Sequence, residues 1–530
     1  MKSKIIQLIL IYITCFSFSF ASANHQVSTP LLPTQAKELV SPHILVVMGL
    51  TGDLGQRKLI PALYHLFRLG QLPENFVIVG SARRALTPEA FQYMIRESLA
   101  KALSPDLHDD TLWEKFMAKC FYHQTDLDHP ADYEALNTYL KQLDAQYETH
   151  GNRLFYLAVP PSFFSNVITQ LYTQNLIPND NKHTSAPWGR IMVEKPFGHD
   201  WQSACELQKH ISQYFDDSQI YLIDHFLGKE VVQNLLTLRF SNPLFAHAWN
   251  RQFIEHIQIN FSEDIGVGTR GAFWEETGLL RDMVQNHLIQ LVALIAMEPP
   301  TTMEAQVIRE AKTDVIKSIR PFNVQQLDQQ IIRGQYGLGL IQNETVPGYR
   351  EEAQVDPLSK VETFVAAKFL IDNKRWQGVP FYLSAGKRLA ERKTEIVITF
   401  KSGKNEEQLQ PNQLVIRVQP DAEIYLTFNS KQPGINGEVG VVKMSFNYDK
   451  DLQVPIPDAY EVLLFEAMRG QIRMFAGLEE ILASWNLFTP VLKAWQDEPA
   501  PTFPNYAAGT WGPEESLLLL EEGHVWHTVD

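Results

Sequence analysis

The chain has few cysteines and less positive than negative charge, and each shortage excludes a class of protein. Cys15, Cys120 and Cys205 show no paired metal-ligand spacing, so the sequence supports neither a disulfide scaffold nor a zinc site. Lys and Arg number 46 against 61 Asp and Glu, which gives a formal net charge of −15. This balance disfavours nucleic acid and anionic membrane as partners, because both reward clustered positive charge. We therefore predict no metal, and we expect any redox chemistry to need a bound cofactor.

The only long apolar run stands at the N-terminus. Lys2 and Lys4 precede apolar residues 5–20, and small residues follow at 21–23, which is the pattern of a secretory signal peptide. We predict a signal peptide over residues 1–23, a tether over 24–41, and an exported or lumenal protein. A short membrane anchor stays open, as does an upstream start codon that is never used, which would leave the protein cytoplasmic.

The length and apolar content favour two or three domains rather than one. The chain has 530 residues, of which 45% are hydrophobic. Apolar runs of strand length alternate with helical stretches up to about Asp224, and this alternation predicts an α/β domain with a Rossmann-like, doubly wound sheet over residues 42–224. These runs are 44–48, 76–79, 153–159 and 190–193.

The pattern changes after residue 224. Longer amphipathic helices come first, followed by runs that are typical of antiparallel strands with one solvated face. These runs are 253–261, 362–370, 395–400, 413–418 and 423–428. We predict an α+β domain built on a large antiparallel sheet over residues 225–530. Because ligands often bind between domains, we expect the chemistry near residue 224.

A glycine turn between the first strand and the first helix indicates a nucleotide site. Gly49, Gly52 and Gly55 would let backbone N–H groups approach a pyrophosphate at the helix N-terminus. The usual first glycine is absent, so an ordinary tight turn stays open. The next strand ends in Arg83 and Arg84 rather than in an acidic residue, which favours a 2′-phosphate and hence NADP over NAD.

Residues 223–230 place three chemically useful side chains at the end of an apolar run. His225 and Lys229 share one helical face at an i,i+4 spacing, which suits phosphate binding. Asp224 could accept a hydrogen bond from an imidazole and fix its tautomer. It could instead simply cap the helix that starts at His225.

A second imidazole, His287, falls on the apolar stripe of a predicted helix. The stripe consists of Leu280, Val284, Leu291 and Ile295. Imidazole titrates near neutral pH, so His287 is our candidate general base. The residues alone leave open that it is an ordinary core histidine with a satisfied hydrogen bond.

Residues 223–230 and 281–287 closely resemble the active-site signature of glucose-6-phosphate dehydrogenases. Collinear matches run from about residue 43 almost to the C-terminus, and they include residues 57–64, 153–161, 194–198 and 373–381. The resemblance implies NADP-dependent oxidation of glucose 6-phosphate at C1 to 6-phosphoglucono-1,5-lactone, the first step of the oxidative pentose phosphate pathway. It also implies catalytic roles for His287 and Asp224, and a homodimer or homotetramer.

The resemblance further implies two sets of binding residues. The cofactor set is Gly49, Gly52, Asp53, Leu54, Arg83, Tyr156 and Lys195. The substrate set is Lys195, His225, Lys229, Glu263, Asp282, Lys387 and Arg392. Without the resemblance, Tyr156 could be a core aromatic, Lys195 a solvated lysine, and the basic run 386–393 a solvated face.

Three departures from the family pattern bear on affinity. Leu50 alters the glycine turn, Phe226 replaces a tyrosine, and Ser384 stands where an arginine is common. A lost neutral hydrogen bond is worth roughly 0.5 to 1.5 kcal/mol, so affinity would fall several-fold while turnover survives. Two alternatives remain: a related dehydrogenase of unphosphorylated sugars, and a noncatalytic sensor of NADP or sugar phosphate.

Overall fold

The computed structural model describes residues 40–178, 187–402, 409–433, 435, 437–452, 455–497 and 501–528, apart from the side chain of residue 106. The predicted signal peptide, and all but the last two residues of the predicted tether, lie outside this part of the chain. None of the helices within it has the length and apolarity that a bilayer-spanning segment needs.

In the described residues, six parallel strands form the first sheet, in the order β3-β2-β1-β4-β5-β6. The strands are β1 (His43–Met48), β2 (Phe76–Ala82), β3 (Cys120–Gln124), β4 (Arg153–Leu157), β5 (Gly189–Val193) and β6 (Ile220–Leu222). This arrangement confirms the predicted Rossmann-like sheet. The prediction missed β3, in which only Cys120 is buried.

Helices connect these strands, as the alternating pattern predicts. They are Ile60–Arg68, Pro88–Ala102, Asp110–Met117, Pro130–Tyr147, Phe164–Thr173 and Trp201–Ser212, with a π-helical turn at Gly55–Leu59. Side-chain caps begin three of them, at Thr87, Asp109 and Asp200, because each accepts a hydrogen bond from an N–H of the first turn.

The second sheet has eight strands within the described residues, in the order β17-β16-β15-β14-β7-β13-β12-β8. Its strands are β7 (Ile254–Ser262), β8 (Ile331–Gly334), β12 (Phe364–Leu370), β13 (Pro380–Gly386), β14 (Lys393–Phe400), β15 (Gln413–Gln419), β16 (Glu423–Lys431) and β17 (Val439–Asn447). The short strands β9 (Tyr336–Gly337), β10 (Gly339–Ile341) and β11 (Glu344–Val346) lie outside this sheet. Neighbours run antiparallel, as predicted, except that β13 lies parallel to β7. A parallel pair needs a long crossover, and more than a hundred residues separate these two strands.

Helices of the second half carry the predicted apolar stripe. The helices are Glu230–Phe240, Pro243–Ala248, Gly271–Leu279, Leu280–Leu288 (π-helical), Ile289–Ala296, Ala305–Lys317, Ala459–Arg469 and Leu478–Asp497. All four stripe residues that flank His287 are fully buried. The predicted helix therefore lies inside the core, with His287 on it.

The helix Ala459–Arg469 returns to the first sheet. Leu463, Leu464 and Phe475 belong to the same apolar core as Tyr156 and Tyr221. The Tyr221 and Phe475 rings meet edge to face with 4.9 Å between their centroids. A segment that we assigned to the second domain thus completes the core of the first, while the boundary at residue 224 stays a prediction.

Candidate active site

Asp224 and His287 meet in the interior, although 63 residues separate them in the chain. His287 Nδ1 lies 2.5 Å from Asp224 Oδ1, and the imidazole is fully buried. The same carboxylate oxygen accepts the backbone N–H of Phe226 at 2.9 Å. Asp224 therefore caps a local turn and pairs with the imidazole. The helix predicted to start at His225 begins instead at Glu230, after a turn over residues 225–228, so Asp224 is not its N-cap and His225 and Lys229 do not share a helical face.

The other imidazole nitrogen, His287 Nε2, is buried without a hydrogen-bond partner among the described residues. Phe226 stacks on the His287 ring, with 4.7 Å between centroids and 14° between planes. His225 meets the same ring edge-on at 4.4 Å. A buried imidazole nitrogen without a partner is able to accept a proton, but a substrate reaches it only when neighbouring side chains move.

The electrostatics of the pair keep the imidazole neutral and the carboxyl ionised. Burial opposes ionisation of Asp224, but its interaction and hydrogen bond with His287, together with the hydrogen bond from Phe226 N–H, outweigh it and lower the carboxyl pKa to about 2. Burial lowers the pKa of His287, and Asp224 only partly opposes this shift. A neutral imidazole held by a carboxylate is the arrangement of a general base.

Beside this pair lies a cleft of about 870 Å³ with cations on its wall. Lys229 and Arg392 line it together with His225. Lys229 Nζ donates to Gln419 Oε1 at 2.5 Å and lies 4.9 Å from the centre of the Phe226 ring. Burial, with the Arg392 charge, lowers the pKa of Lys229 to about 8. An anionic ligand would offset both effects.

Two further ion pairs involve predicted substrate residues. Lys195 Nζ donates to the Asp282 backbone carbonyl at 2.7 Å and to its carboxylate at 3.0 Å. Lys387 Nζ lies 2.5 Å from Glu263 Oε2. Each pair thus presents a donor and an acceptor side by side, which suits sugar hydroxyls.

The glycine turn is closely packed at Gly49 and open at Gly52, and the N–H groups of both glycines donate to backbone carbonyls of Ser81 and Gly49. Gly49 has φ +92°, and a Cβ there would lie 2.2 Å from Ala158 O, so only glycine fits. A Cβ on Gly52 would meet only Gly49 O, at 3.2 Å. Leu50 is buried and occupies the space over Gly80, where a Cβ would lie 2.7 Å from its Cδ2. The departure at residue 50 is therefore accommodated by packing, and the residues present fit a dinucleotide.

The turn after β2 presents its guanidiniums outward. Arg83 and Arg84 are exposed. Side chains of β3 hold their backbone: Gln124 Nε2 donates to Arg83 O at 3.1 Å, and the Tyr122 hydroxyl donates to Arg84 O. The missed strand β3 thus fixes the turn and leaves both cations free to meet a phosphate.

Comparison with known proteins agrees with this geometry. The model of the glucose-6-phosphate dehydrogenase NAD binding domain matches residues 46–234, and that of the C-terminal domain matches residues 236–527. The chain belongs to the glucose-6-phosphate dehydrogenase family. The glucose-6-phosphate 1-dehydrogenase of Chlamydia pneumoniae is 47% identical over 498 residues, which cover 92% of this chain and 96% of that protein. That of Bacillus subtilis is 39% identical over 493 residues, with coverages of 92% and 98%.

A solved structure supports the same relationship. It is described as glucose-6-phosphate dehydrogenase in complex with its substrate glucose-6-phosphate. It superimposes with a TM-score of 0.84 at 35% identity, covering 92% of this chain and 99% of that one. The fold is therefore that of the glucose-6-phosphate dehydrogenase family.

Among the residues predicted from the family, Tyr156 lies in the apolar core. It is fully buried, and its hydroxyl donates to Glu194 at 2.5 Å. It therefore contacts Glu194, the neighbour of Lys195, and its place in the cofactor set stays a prediction. Asp53, by contrast, is exposed and paired with Arg57 at 2.9 Å, and Leu54 lines the cleft.

Sequence reasoning missed Glu194, Gln419 and Tyr460. Tyr460 stacks parallel to His225 at 6.4 Å and interacts with Glu194. Burial raises the pKa of Glu194, a shift that its hydrogen bond with Tyr156 only partly opposes. Glu194 precedes Lys195 directly after strand β5, so its position in the sequence could have identified it as a candidate site residue. Residues 419 and 460 carry no local signal, because only the tertiary fold brings them to residues 225 and 229.

Proposed function

We propose that the protein oxidises D-glucose 6-phosphate at C1 to 6-phospho-D-glucono-1,5-lactone with NADP as the acceptor. One observation carries this proposal. The cleft beside the buried Asp224 and His287 pair is lined by Lys229 and Arg392, and also by Leu54, Arg57 and Lys58, which follow the glycine turn. The proposed sugar-phosphate site and the proposed nucleotide site thus lie next to each other, beside the proposed general base His287.

His287 is the proposed base and Asp224 its positioning partner. Asp224 fixes the tautomer in which Nδ1 carries the hydrogen, so that Nε2 is free to accept the proton of the C1 hydroxyl. The carboxylate then faces the imidazolium that forms. Because the pair is buried, the charge interaction is weakly screened and favours proton transfer.

The proposed cofactor site is built from the glycine turn and the Arg83 turn. The absence of side chains at Gly49 and Gly52 lets a pyrophosphate approach the backbone of the turn closely, although the N–H groups of these two glycines donate to Ser81 O and Gly49 O. Arg83 faces a 2′-phosphate. Bound NADP would accept the hydride from C1. Asp53, Leu54, Tyr156 and Lys195 complete the proposed set, with Tyr156 acting through Glu194.

The proposed substrate contacts divide by chemistry. Lys229, Arg392 and His225 hold the phosphate, and the two donor–acceptor pairs hold sugar hydroxyls. These pairs are Lys195 with Asp282 and Lys387 with Glu263. Phe226 provides an apolar face to His287 but no hydroxyl to the phosphate, which predicts weaker substrate binding rather than slower proton transfer.

Absorbance of NADPH tests this function directly. The purified protein is given glucose 6-phosphate, glucose, or no sugar, with NADP in each case. Turnover with glucose 6-phosphate alone supports the proposal. Turnover with glucose would favour the sugar dehydrogenase, and binding of both ligands without turnover would favour the sensor.

The assembly proposal is a homodimer or homotetramer. Strand β17 is a sheet edge of nine residues, and several apolar side chains on it are exposed. Val441 and Met444 are 52% and 65% exposed. Such an edge favours pairing, so light scattering after gel filtration should give a multiple of the 60.6 kDa chain mass, less any cleaved signal peptide.

The compartment proposal depends on residues 1–23 alone. We propose cleavage after Ala23, and mass spectrometry of the mature protein should then find Asn24 at the N-terminus. An N-terminus that retains residues 1–23 would contradict export by this signal.

A further inference from the structure

A second histidine cluster lies outside the candidate active site, where the C-terminal segment crosses the large sheet. A carboxylate oxygen of Glu255 and one nitrogen each of His256 and His524 all lie within 4.8 Å of one another. Glu255 and His256 belong to β7, and His524 follows a short 3₁₀ helix, Glu514–Leu519. The cluster therefore joins two distant parts of the chain.

A β-bulge explains how adjacent residues of one strand face the same point. His256 pairs with Thr399, and Phe400 pairs with Ile254, so Glu255 is the extra residue. In a regular strand, neighbouring side chains point to opposite faces, whereas a bulge re-aims one of them. The irregularity turns Glu255 toward His256, as a shared ligand would require.

The cluster contains a buried polar atom without a partner. His256 is 6% exposed, and its Nδ1 accepts or donates no hydrogen bond among the described residues. It lies 4.0 Å from Glu255 Oε2, and His524 Nε2 lies 4.0 Å from Glu255 Oε1. These distances are too long for hydrogen bonds. An orphaned buried nitrogen that faces a carboxylate across such a gap points to a bound ion.

The outer nitrogens of both imidazoles are held by other side chains. His524 Nδ1 lies 2.8 Å from the Tyr382 hydroxyl. His256 Nε2 lies 3.3 Å from the Gln258 amide nitrogen, which also donates to Val525 O at 2.8 Å. The Tyr382 hydroxyl can accept a hydrogen bond from His524 Nδ1, and an outer partner of this kind orients a metal-binding histidine. Coordination through His256 Nδ1 would place the hydrogen on Nε2, which faces the Gln258 amide nitrogen, so the 3.3 Å contact would be lost while the hydrogen bond from Gln258 to Val525 O stays.

We propose that Glu255, His256 and His524 bind a divalent transition metal, best matched by zinc, that fastens the C-terminal segment to the sheet. Two imidazoles and a carboxylate are a zinc donor set, and the fourth position can hold water. Ligand atoms around tetrahedral zinc lie roughly 3.3 to 3.6 Å apart, so the half-exposed Glu255 need move only slightly. His524 lines a cavity of about 490 Å³, which gives the ion access.

Zinc titration of the full chain tests the site. The protein is stripped with EDTA, returned to metal-free buffer and titrated with zinc chloride by calorimetry, and its thermal unfolding is followed with and without zinc. The site variants are His524→Gln and Glu255→Gln. The matched control is His527→Gln, in the same segment. A second control, His287→Asn, removes a ligand from the other three-residue group, Asp224, His225 and His287.

We expect the wild type to bind one zinc ion and to unfold at a higher temperature with it. Binding should weaken by more than about 10-fold in both site variants and stay unchanged in both controls. A site variant that unfolds in EDTA at the same temperature as the wild type is correctly folded. If His524→Gln fails this check, Glu255→Gln still tests the site, because Glu255 is half-exposed and its replacement should not disturb the core. The proposal is overturned if the wild type binds no zinc, if the site variants bind it as well as the wild type, or if only His287→Asn loses it.

Discussion

Replacing Asp224 by Asn isolates the charge of the carboxylate from its shape. In the structure, Asp224 Oδ1 accepts from both Phe226 N and His287 Nδ1, while Oδ2 has no partner among the described residues. An asparagine that keeps its oxygen at the first position preserves both hydrogen bonds. The variant then loses chiefly the anion that faces the imidazolium.

The size of this loss follows from the geometry. Two unit charges at about 4 Å interact by about 4 kcal/mol at an effective dielectric constant of 20. A barrier raised by that amount slows turnover by about 1000-fold. We therefore expect kcat of Asp224→Asn to fall about 1000-fold, while KM for glucose 6-phosphate changes little, because neither Asp224 oxygen is proposed to touch the substrate.

The pH profile gives a second, independent signature. Turnover requires neutral His287, so it is lost as the pH falls through the His287 pKa. Burial already lowers that pKa below 6.5, and Asp224 raises it part of the way back. Removing the anion should therefore move the acidic limb of kcat to lower pH as the plateau drops.

Steady-state NADPH formation across pH measures both effects. Asp458→Asn is the matched control, since this carboxylate lines the same cleft but pairs with Lys58 at 2.9 Å. Its acidic limb should stay in place. A plateau of Asp224→Asn within about threefold of the wild type, or a limb that moves to higher pH, would refute the role of Asp224 as the partner of the base.

Three further outcomes are expected. Because Lys229 is charged only below its pKa of about 8, KM should rise as the pH increases through that value, and Lys229→Arg should remove the rise; a pH-independent wild-type KM would contradict this. Phe226→Tyr should lower KM several-fold by adding a hydroxyl worth roughly 0.5 to 1.5 kcal/mol, and an unchanged KM would show that the hydroxyl misses the phosphate. Arg83→Ala with Arg84→Ala should weaken NADP far more than NAD in a binding titration, whereas equal losses would reject the 2′-phosphate contact.

The parts predicted from sequence are those that depend on local pattern. The strand, glycine turn and helix at residues 43–68 follow from neighbouring residues, and so does the buried stripe around His287. Strand β3 was missed because it is largely half-buried and lacks a clear apolar run. The parallel pairing of β13 with β7 depends on which chain segments cross the sheet, and no local pattern records this.

The same distinction holds for the site. The family resemblance linked Asp224 with His287, and the structure brings them into contact. Tyr460 and Gln419 were missed because their partners, His225 and Lys229, lie about two hundred residues away. Cysteine spacing also gave no sign of the Glu255 cluster, because its donors are histidines and a carboxylate that a bulge brings together.

The return of the helix Ala459–Arg469 to the first sheet affects how the protein is made. Phe475 and its neighbours close the interior around Tyr221, yet ribosomes add about 5 to 20 residues per second. The nascent nucleotide-binding half therefore waits roughly 12 to 50 s, with one apolar face uncovered, for its last pieces to emerge. During synthesis this half therefore keeps an apolar face exposed, and we expect a fragment that stops at residue 224 to aggregate.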